Sequence, residues 1–209
     1  MKKKYYIIIL IIVLLGIIFY VANQIIVKRK INKIPVTIDL IEQYRQQLPE
    51  LKKTADKSEA VGDLQNYGIA QYATGDFSGA VLTYQKQIAK DPNNYFAHSA
   101  LANALRDEKK FDEAILEYKK VNELAPNYIA GYINQASVYQ YSLKQIDKAI
   151  EVYELGIAKN PSSTDLYLLL AMAYEQVDDK DNAEKTYEKV IEIDKTNLAA
   201  KTALERLVQ

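Results

Sequence analysis

The 209-residue chain contains no cysteine, one histidine (His98) and only seven glycines. Without cysteine it can form neither a disulfide nor a thiolate metal site, and one imidazole is too few for a histidine-rich metal centre. The scattered glycines do not form a phosphate-binding loop, and no nucleophile, base and orienting group can be assembled from the pattern. These absences argue against an enzyme and predict no cofactor and no metal site.

The formal net charge of zero conceals two regions of opposite sign. Residues 1–33 carry seven basic side chains and no acidic one, which leaves 20 basic and 27 acidic side chains, a net of −7, for residues 34–209. An anionic body repels the phosphates of nucleic acids. We therefore expect a partner other than DNA or RNA.

The basic region surrounds an apolar run. Tyr5 to Ala22 are 18 residues without a charge, and 13 of them are Ile, Leu, Val or Phe. As a helix the run would be about 27 Å long, close to the thickness of the hydrocarbon core. It predicts a single-pass transmembrane helix over about residues 5–27, within an N-terminal signal anchor over residues 1–33. A cleaved signal peptide is the alternative, but Tyr20 is a poor residue three positions before a cut after Ala22.

Basic residues flank both ends of this run, so the positive-inside rule favours neither orientation strongly. A lysine cluster directly before a long apolar run is the usual start of an export anchor. We therefore expect the N-terminus in the cytoplasm and the body on the extracytoplasmic side, with a cytoplasmic body as the alternative. Between anchor and body, residues 34–57 form a spacer predicted to hold a short helix that ends near Pro49.

The body is self-similar. Two residue series recur at intervals of 34, 35 and 34: Ala80, Ala114, Ala149 and Ala183, and Tyr84, Tyr118, Tyr153 and Tyr187. A nearly constant interval of this length indicates stacked structural repeats. The one additional residue lies between Ala136 and Ile146, and we predict it in the turn around Ser142 to Gln145. Prolines end three of the units, and apolar residues recur at helical spacing between the breaks, so each unit is predicted to be a pair of helices.

At these residues the sequence resembles the tetratricopeptide repeat family. The order of small residue, aromatic, alanine, tyrosine and proline recurs, as in Gly68, Phe77, Ala80, Tyr84 and Pro92. The resemblance implies an all-α solenoid of four helix-turn-helix units over residues 61–94, 95–128, 129–163 and 164–197, followed by a capping helix over residues 198–209. Ile146, Gly156 and Lys180 depart from the pattern, and Gly156 is expected to weaken its helix by about 1 kcal/mol.

The resemblance also implies a binding groove lined by the first helix of each unit. The candidate residues are Gln65, Ile69, Tyr72, Ser99, Asn103, Arg106, Ile133, Ser137, Gln140, Leu168, Met172 and Glu175. Their amides, hydroxyls and apolar groups can bind an extended peptide or an amphipathic helix. The alternatives are that these positions are merely solvated, or that the opposite, convex face binds. Members that capture a C-terminal carboxylate use cationic and asparagine side chains here, but this chain has Gln65, Ile69 and Ala100 at the corresponding positions.

Two classes of function remain. The first is a membrane-anchored scaffold or assembly factor that binds a protein or peptide in the groove. The second is an accessory subunit of an envelope-biogenesis or glycosyl-transferring enzyme, since no residues remain for a catalytic domain. His98 is interpreted as a core or rim imidazole rather than a metal ligand.

Overall fold

The computed structural model describes residues 35–207, with side chains from residue 39 onward, and this part of the chain contains helices and no strand. The helices are α1 (Pro35–Ser58), α2 (Val61–Ala73), α3 (Phe77–Lys90), α4 (Tyr95–Asp107), α5 (Phe111–Leu124), α6 (Ile129–Ser137), α7 (Ile146–Lys159), α8 (Thr164–Gln176), α9 (Lys180–Ile193) and α10 (Leu198–Leu207). A π-helical segment, Val138–Ser142, continues α6. The prediction of an all-α solenoid is confirmed.

Helix α1 is longer than the short helix predicted for the spacer. It runs for 24 residues, and Pro49 lies inside it. Proline removes one backbone donor and crowds the carbonyl four residues earlier, but the helix continues on both sides of it. The prediction that the helix ends near Pro49 is therefore wrong. The chain divides into two units between Gln47 and Leu48, within α1, and helices α2 to α10 all lie in the second unit.

The predicted membrane span, residues 5–27, lies outside the described residues. None of the helices within residues 35–207 is both long enough and apolar enough to cross a bilayer.

From α2 to α10, each helix packs against the next one in the chain. The four pairs α2–α3, α4–α5, α6–α7 and α8–α9 place the recurring alanines and tyrosines in the core. Ala80, Ala114, Ala149 and Ala183 are fully buried, and the tyrosines four residues after them are at most 3% exposed. Three core clusters extend along the array; the first two draw residues from neighbouring pairs, and the third joins the last pair to α10. This arrangement follows from the physics of the repeat, because one hairpin cannot bury its own apolar face.

Small residues allow the helices of a pair to approach closely. A Cβ placed on Gly68 would lie 2.6 Å from Cε1 of Tyr84, so the tyrosine ring occupies the space that any larger residue would need. Gly156 has a similar role, since its Cβ would lie 3.0 Å from the Tyr132 side chain. The helix propensity lost at Gly156 is therefore accompanied by close packing against Tyr132.

The turn inside each pair has the same length in all four units. Three residues separate the two helices, and the middle residue has a positive φ: Gly75 at 87°, Lys109 at 63°, Lys144 at 57° and Asp178 at 57°. Only the first of these residues is glycine, the residue that adopts this conformation without steric cost. The other three turns hold a non-glycine residue in the left-handed region.

The additional residue of the third unit lies in a helix and not in the turn, so the prediction that placed it around Ser142 to Gln145 is wrong. Its first helix consists of α6 and the π segment, 14 residues in total, whereas the other first helices have 13. The Leu143 N–H donates to the Val138 carbonyl, five residues earlier, at 3.0 Å. A π turn absorbs one residue without breaking the helix, which keeps the three-residue turn unchanged.

Side-chain caps define several helix starts. Asp76, Asn94, Ser163 and Asp179 each accept a hydrogen bond from a backbone N–H in the first turn of the helix that follows. After the last pair, α10 buries Ala200 and Ala203 and exposes Lys201, as expected for a capping helix with one polar side.

Candidate functional site

The predicted binding residues belong to the first helices α2, α4, α6 and α8 and to the π segment that continues α6, and the exposed surface of these helices is here termed the groove face. At its N-terminal end Gln65 and Ile69 are exposed, and at its C-terminal end Met172 is 44% exposed. Ser99 and Gln140 are buried. The remaining predicted residues are half-buried, namely Tyr72, Asn103, Arg106, Ile133, Ser137, Leu168 and Glu175.

A cavity of about 190 Å³ lies on the groove face between the first two units. It brings together four of the predicted residues, Gln65, Ile69, Ser99 and Asn103. Phe96, which is 55% exposed, lines the same cavity. The first two units therefore combine three polar side chains with two apolar ones around one depression.

A second cavity, of about 750 Å³, lies between α8 and the capping helix. All three predicted residues of the fourth unit line it, namely Leu168, Met172 and Glu175. Exposed Leu198 and Arg206 of α10 form the opposite wall. The sequence predicted α10 only as a capping helix at the end of the array. The structure shows that it also contributes to this surface.

The repeat tyrosines reach from the second helices to the residues of the groove face. Tyr118 donates its hydroxyl to Oδ1 of Asn103 at 2.7 Å, and Tyr187 donates to Oε1 of Glu175 at 2.5 Å. Burial raises the pKa of Tyr118 to about 12, so the hydroxyl stays protonated and remains a donor throughout the physiological range. These hydrogen bonds from the second helices fix the orientation of two groove side chains, Asn103 and Glu175.

A polar network joins the first two units beside the smaller cavity. Arg106 donates from Nε to Asp107 at 2.9 Å, and Tyr72 donates its hydroxyl to the same carboxylate. Burial acts to raise the pKa of Asp107, but the hydrogen bonds from Arg106 and Tyr72 outweigh it and lower that pKa. Asp107 is therefore ionised at neutral pH and holds the two predicted groove residues in place.

Gln140 is misassigned among the predicted groove residues. It is 2% exposed, accepts the Tyr153 hydroxyl at 3.0 Å and donates to Gln176 at 3.0 Å. The π segment adds one residue before this point, so the side chain that occupies the equivalent groove position is Tyr141, which is 48% exposed. The sequence could have identified Tyr141 as the equivalent of Arg106, because these two residues are separated by the same 35 residues as the recurring Ala114 and Ala149.

His98 is a core residue, as interpreted from the sequence. It is 7% exposed, and its ring nitrogens lie 2.6 Å from Oε2 of Glu117 and 3.1 Å from the Pro92 carbonyl oxygen. Both nitrogens are therefore engaged in structural contacts. Within the described residues, no group of three or more His, Cys, Asp or Glu side chains is arranged to hold a metal ion.

The sequence did not anticipate a cavity of about 600 Å³ on the opposite face, formed by α5 and α7 over the α6 segment. Its walls include Lys119, Tyr139 and Leu155, and the Lys148 ammonium lies 5.6 Å from the centroid of the Tyr139 ring. At its base Asn122 donates to Gln135 at 2.8 Å. This polar pair has no periodic counterpart that would reveal it in the sequence.

A succession of helix pairs with recurring alanine and tyrosine contacts, and an open face lined by first helices, defines a helical-repeat protein. Residues 68–129, 129–162 and 164–197 match models of the tetratricopeptide repeat. The chain therefore belongs to the tetratricopeptide repeat family.

Among relatives, the chain is 32% identical over 159 residues to Hsp70-Hsp90 organizing protein 2 of Arabidopsis thaliana, an alignment that covers 76% of this chain and 28% of that protein. It is 25% identical over 112 residues to the protein STIP1 homolog of Dictyostelium discoideum, covering 54% of this chain and 20% of the relative. The chain thus spans less than a third of the length of either relative. The solved structure of MamA from Desulfovibrio magneticus RS-1, from residue 41 to its end, shares the fold with a TM-score of 0.61 at 21% identity, over 78% of this chain and 96% of that one.

Proposed function

We propose that this chain is a protein interaction scaffold that binds an extended segment of a partner protein along the groove face. One observation carries the proposal: the groove face has open cavities of about 190 and 750 Å³ near its two ends, and predicted groove residues line both. Cavities of this kind accept the side chains of a bound segment, while polar groups between them hydrogen-bond its backbone.

The chemistry of the face suits a peptide. An extended backbone presents both N–H donors and C=O acceptors; the amide of Gln65 can pair with either, and the NH2 group of Asn103 can donate to a carbonyl. Ile69, Leu168 and Met172 supply apolar surface for its side chains. Because the hydrogen bonds from Tyr118 and Tyr187 already orient Asn103 and Glu175, binding would require little ordering of these groups.

The relatives support a role in bringing proteins together, since one is named for organizing Hsp70 and Hsp90. The partner need not be the same. Gln65, Ile69 and Ala100 replace the cationic clamp that the family uses for C-terminal carboxylates. Two arginines near the cavities are already paired, Arg106 with Asp107 and Arg206 with Glu175. We therefore assign an internal, uncharged or weakly basic segment to the groove rather than an acidic tail.

The proposal includes an anchor. The uncharged run from Tyr5 to Ala22 would hold the scaffold at a bilayer, with the repeat array on the extracytoplasmic side. The support for this part is the sequence: the length of the run, the lysines before it and the unfavourable cleavage context after it. A scaffold attached in this way would concentrate its partner at the membrane surface.

The test is site-specific photo-crosslinking in cells, with a photoreactive residue at Asn103 or Tyr141 of the full chain. The matched control is Leu116, which is 63% exposed on α5, a second helix. We expect one protein to crosslink at both groove positions through one short segment and not at Leu116. Crosslinking of the same set of proteins at all three positions would contradict the proposal.

A further inference from the structure

Gln87 of α3 is a polar side chain in a position that is apolar or small in the other units. Seven residues after the recurring alanine, the chain has Gln87, Val121, Gly156 and Val190. Gln87 is 1% exposed, and Val121 and Val190 are fully buried. The first unit thus places an amide where the second and fourth units place a valine in the core.

The oxygen of the Gln87 amide is not satisfied by its surroundings. Its Oε1 atom is buried and has no hydrogen-bond partner among the residues that the structure describes. An unpaired buried acceptor is costly, because it loses its hydrogen bonds to water without replacement. Elsewhere in the same unit the buried amide of Gln71 is paired, with Oε1 accepting from Thr83 at 2.6 Å. Within the first unit Gln87 thus differs from Gln71, whereas in the second unit Oδ1 of the buried Asn122 also has no partner among the described residues.

Gln87 lines the 190 Å³ cavity of the groove face, together with Ser99 and Asn103. The Tyr118 hydroxyl donates to Oδ1 of Asn103, which leaves the NH2 group of that amide to donate. The remaining wall combines the polar side chain of Gln65 and the ring of Tyr84 with four apolar residues, Ile69, Phe96, Ala97 and Ala100. The cavity is thus lined by the amide of Gln87, the NH2 donor of Asn103 and the hydroxyl of Ser99, and none of the described residues that line it is charged.

We propose that this cavity is a subsite for the primary amide of an asparagine or glutamine side chain in the bound segment. The amide of the ligand pairs with the amide of Gln87, whose O and N atoms exchange places by rotation of the side chain, and its second polar atom pairs with Asn103 or Ser99. The inference rests on the proposed function, since it specifies which residue of a bound segment the groove selects. A volume of about 190 Å³ lies below the range of whole-ligand pockets, which agrees with a subsite for one side chain.

Charged side chains fit the cavity less well. A carboxylate would be desolvated beside described wall residues that provide no cation, and an ammonium beside the same residues, which provide no carboxylate. A primary amide carries both a donor and an acceptor, so it satisfies Gln87 in either orientation of that side chain. An apolar side chain would leave the Gln87 amide unpaired.

The experiment selects binders from a displayed library of random nonapeptides on the full chain in detergent micelles. The same selection is repeated on Gln87→Val and on Gln85→Val, a matched substitution at an exposed position of the same helix. Valine occurs at the equivalent position of two other units, so Gln87→Val is expected to fold. Circular dichroism and the thermal midpoint of all three proteins check this, and the midpoint of Gln87→Val should equal or exceed that of the unmodified chain.

We expect asparagine or glutamine to be enriched at one peptide position with the unmodified chain and with Gln85→Val, and not with Gln87→Val. In a selected peptide, replacing that residue by glutamate or methionine should weaken binding roughly three- to tenfold, the usual effect of losing one neutral hydrogen bond. For Gln87→Val the same replacement by methionine should weaken binding by a smaller factor than for the unmodified chain, because the bond to Gln87 is already absent and only the bond to Asn103 or Ser99 is lost.

Other outcomes overturn the inference. Selected peptides without an amide preference, or with one that survives Gln87→Val, would mean that the cavity is filled by water or by an apolar side chain, and would leave the proposed function intact. Enrichment of glutamate or of a free carboxyl terminus would replace the amide by an anion. Failure to select any peptide would contradict the proposed function, and the amide subsite with it.

Discussion

Two glycines of the same helix are predicted to respond in opposite directions to the same substitution. In α2, Gly62 has no atom within 4 Å of the position a Cβ would take, whereas at Gly68 that position lies 2.6 Å from Cε1 and 2.9 Å from Cζ of Tyr84. Alanine in a helix is favoured over glycine by about 0.5–1 kcal/mol. Gly62→Ala should therefore be neutral or stabilising, by at most about this amount.

At Gly68 the steric term dominates. The Tyr84 ring is only 3% exposed and belongs to the core cluster of the first two units, so it cannot swing into solvent. Forcing additional volume into a packed core costs about 1–3 kcal/mol, which exceeds the helix-propensity gain. We expect Gly68→Ala to be less stable than Gly62→Ala by about 1–3 kcal/mol, equivalent to roughly 2–4 °C in the thermal midpoint per kcal/mol for a domain of this size.

The assay is thermal and urea unfolding of the full chain and both variants, followed by circular dichroism at the helical band. Because unfolding of a repeat array can spread unit by unit, amide hydrogen exchange in α2 and α3 provides the local measurement. A Gly68→Ala protein as stable as Gly62→Ala would refute the packing argument. It would mean that α2 and α3 separate at little cost.

Three further predictions concern the groove, the core and the anchor. Gln140→Ala should lower the free energy of unfolding by about 1–3 kcal/mol in urea titrations, because it leaves buried partners unpaired. Tyr141→Ala should leave the free energy of unfolding within about 0.5 kcal/mol of the unmodified chain and should weaken partner crosslinking. The reverse result would restore Gln140 to the groove. Tyr118 has a pKa of about 12 in the folded chain, above the ordinary value of about 10. Its neutral form therefore stabilises the fold fully below pH 10. This contribution to the free energy of unfolding, on the order of 2 kcal/mol, is lost as the pH rises through 12. Stability measured against pH should fall less steeply in Tyr118→Phe, and equal slopes would show that the hydroxyl ionises without cost. Lys201→Cys introduces one thiol at an exposed position of a chain without cysteine. If the array is extracytoplasmic, this thiol should react with an impermeant thiol reagent in intact cells. Protection of the thiol until the cells are lysed would reverse the proposed orientation.

Local sequence signals were sufficient for the repeat architecture because the repeat is a local structure. Ala80 and Tyr84 recur at a fixed interval, each unit contacts only its neighbours, and one period therefore implies both the hairpin and its stacking. The groove face followed from the same period, since residues three and four apart share one side of a helix. Where the period held, as for Leu168 and Met172, the candidate residues lie together around one cavity.

The repeat interval predicted the wrong groove residue in the third unit, which has one additional residue. Sequence arithmetic located the addition after Ala136, but a longer turn and a π segment have the same length, and only packing distinguishes them. Keeping the three-residue turn preserves the contacts of α7, and the π segment rotates the residues after it, which buries Gln140 and exposes Tyr141. The sequence also could not decide whether a helix ends at Pro49. Proline inside a helix is costly, but the helical residues on both sides can offset that cost.

The sequence by itself determined the family, the helix pairs and the core alanines and tyrosines, because these depend on contacts that repeat at a constant spacing. Only the tertiary structure decided which polar groups are satisfied. Gln71 and Gln87 are both buried glutamines of the first unit, but Gln71 pairs with Thr83, whereas Gln87, which lines a cavity, has no partner for its Oε1 among the described residues. Hydrogen bonding depends on distances between side chains from different helices, and no periodicity along the chain records those distances.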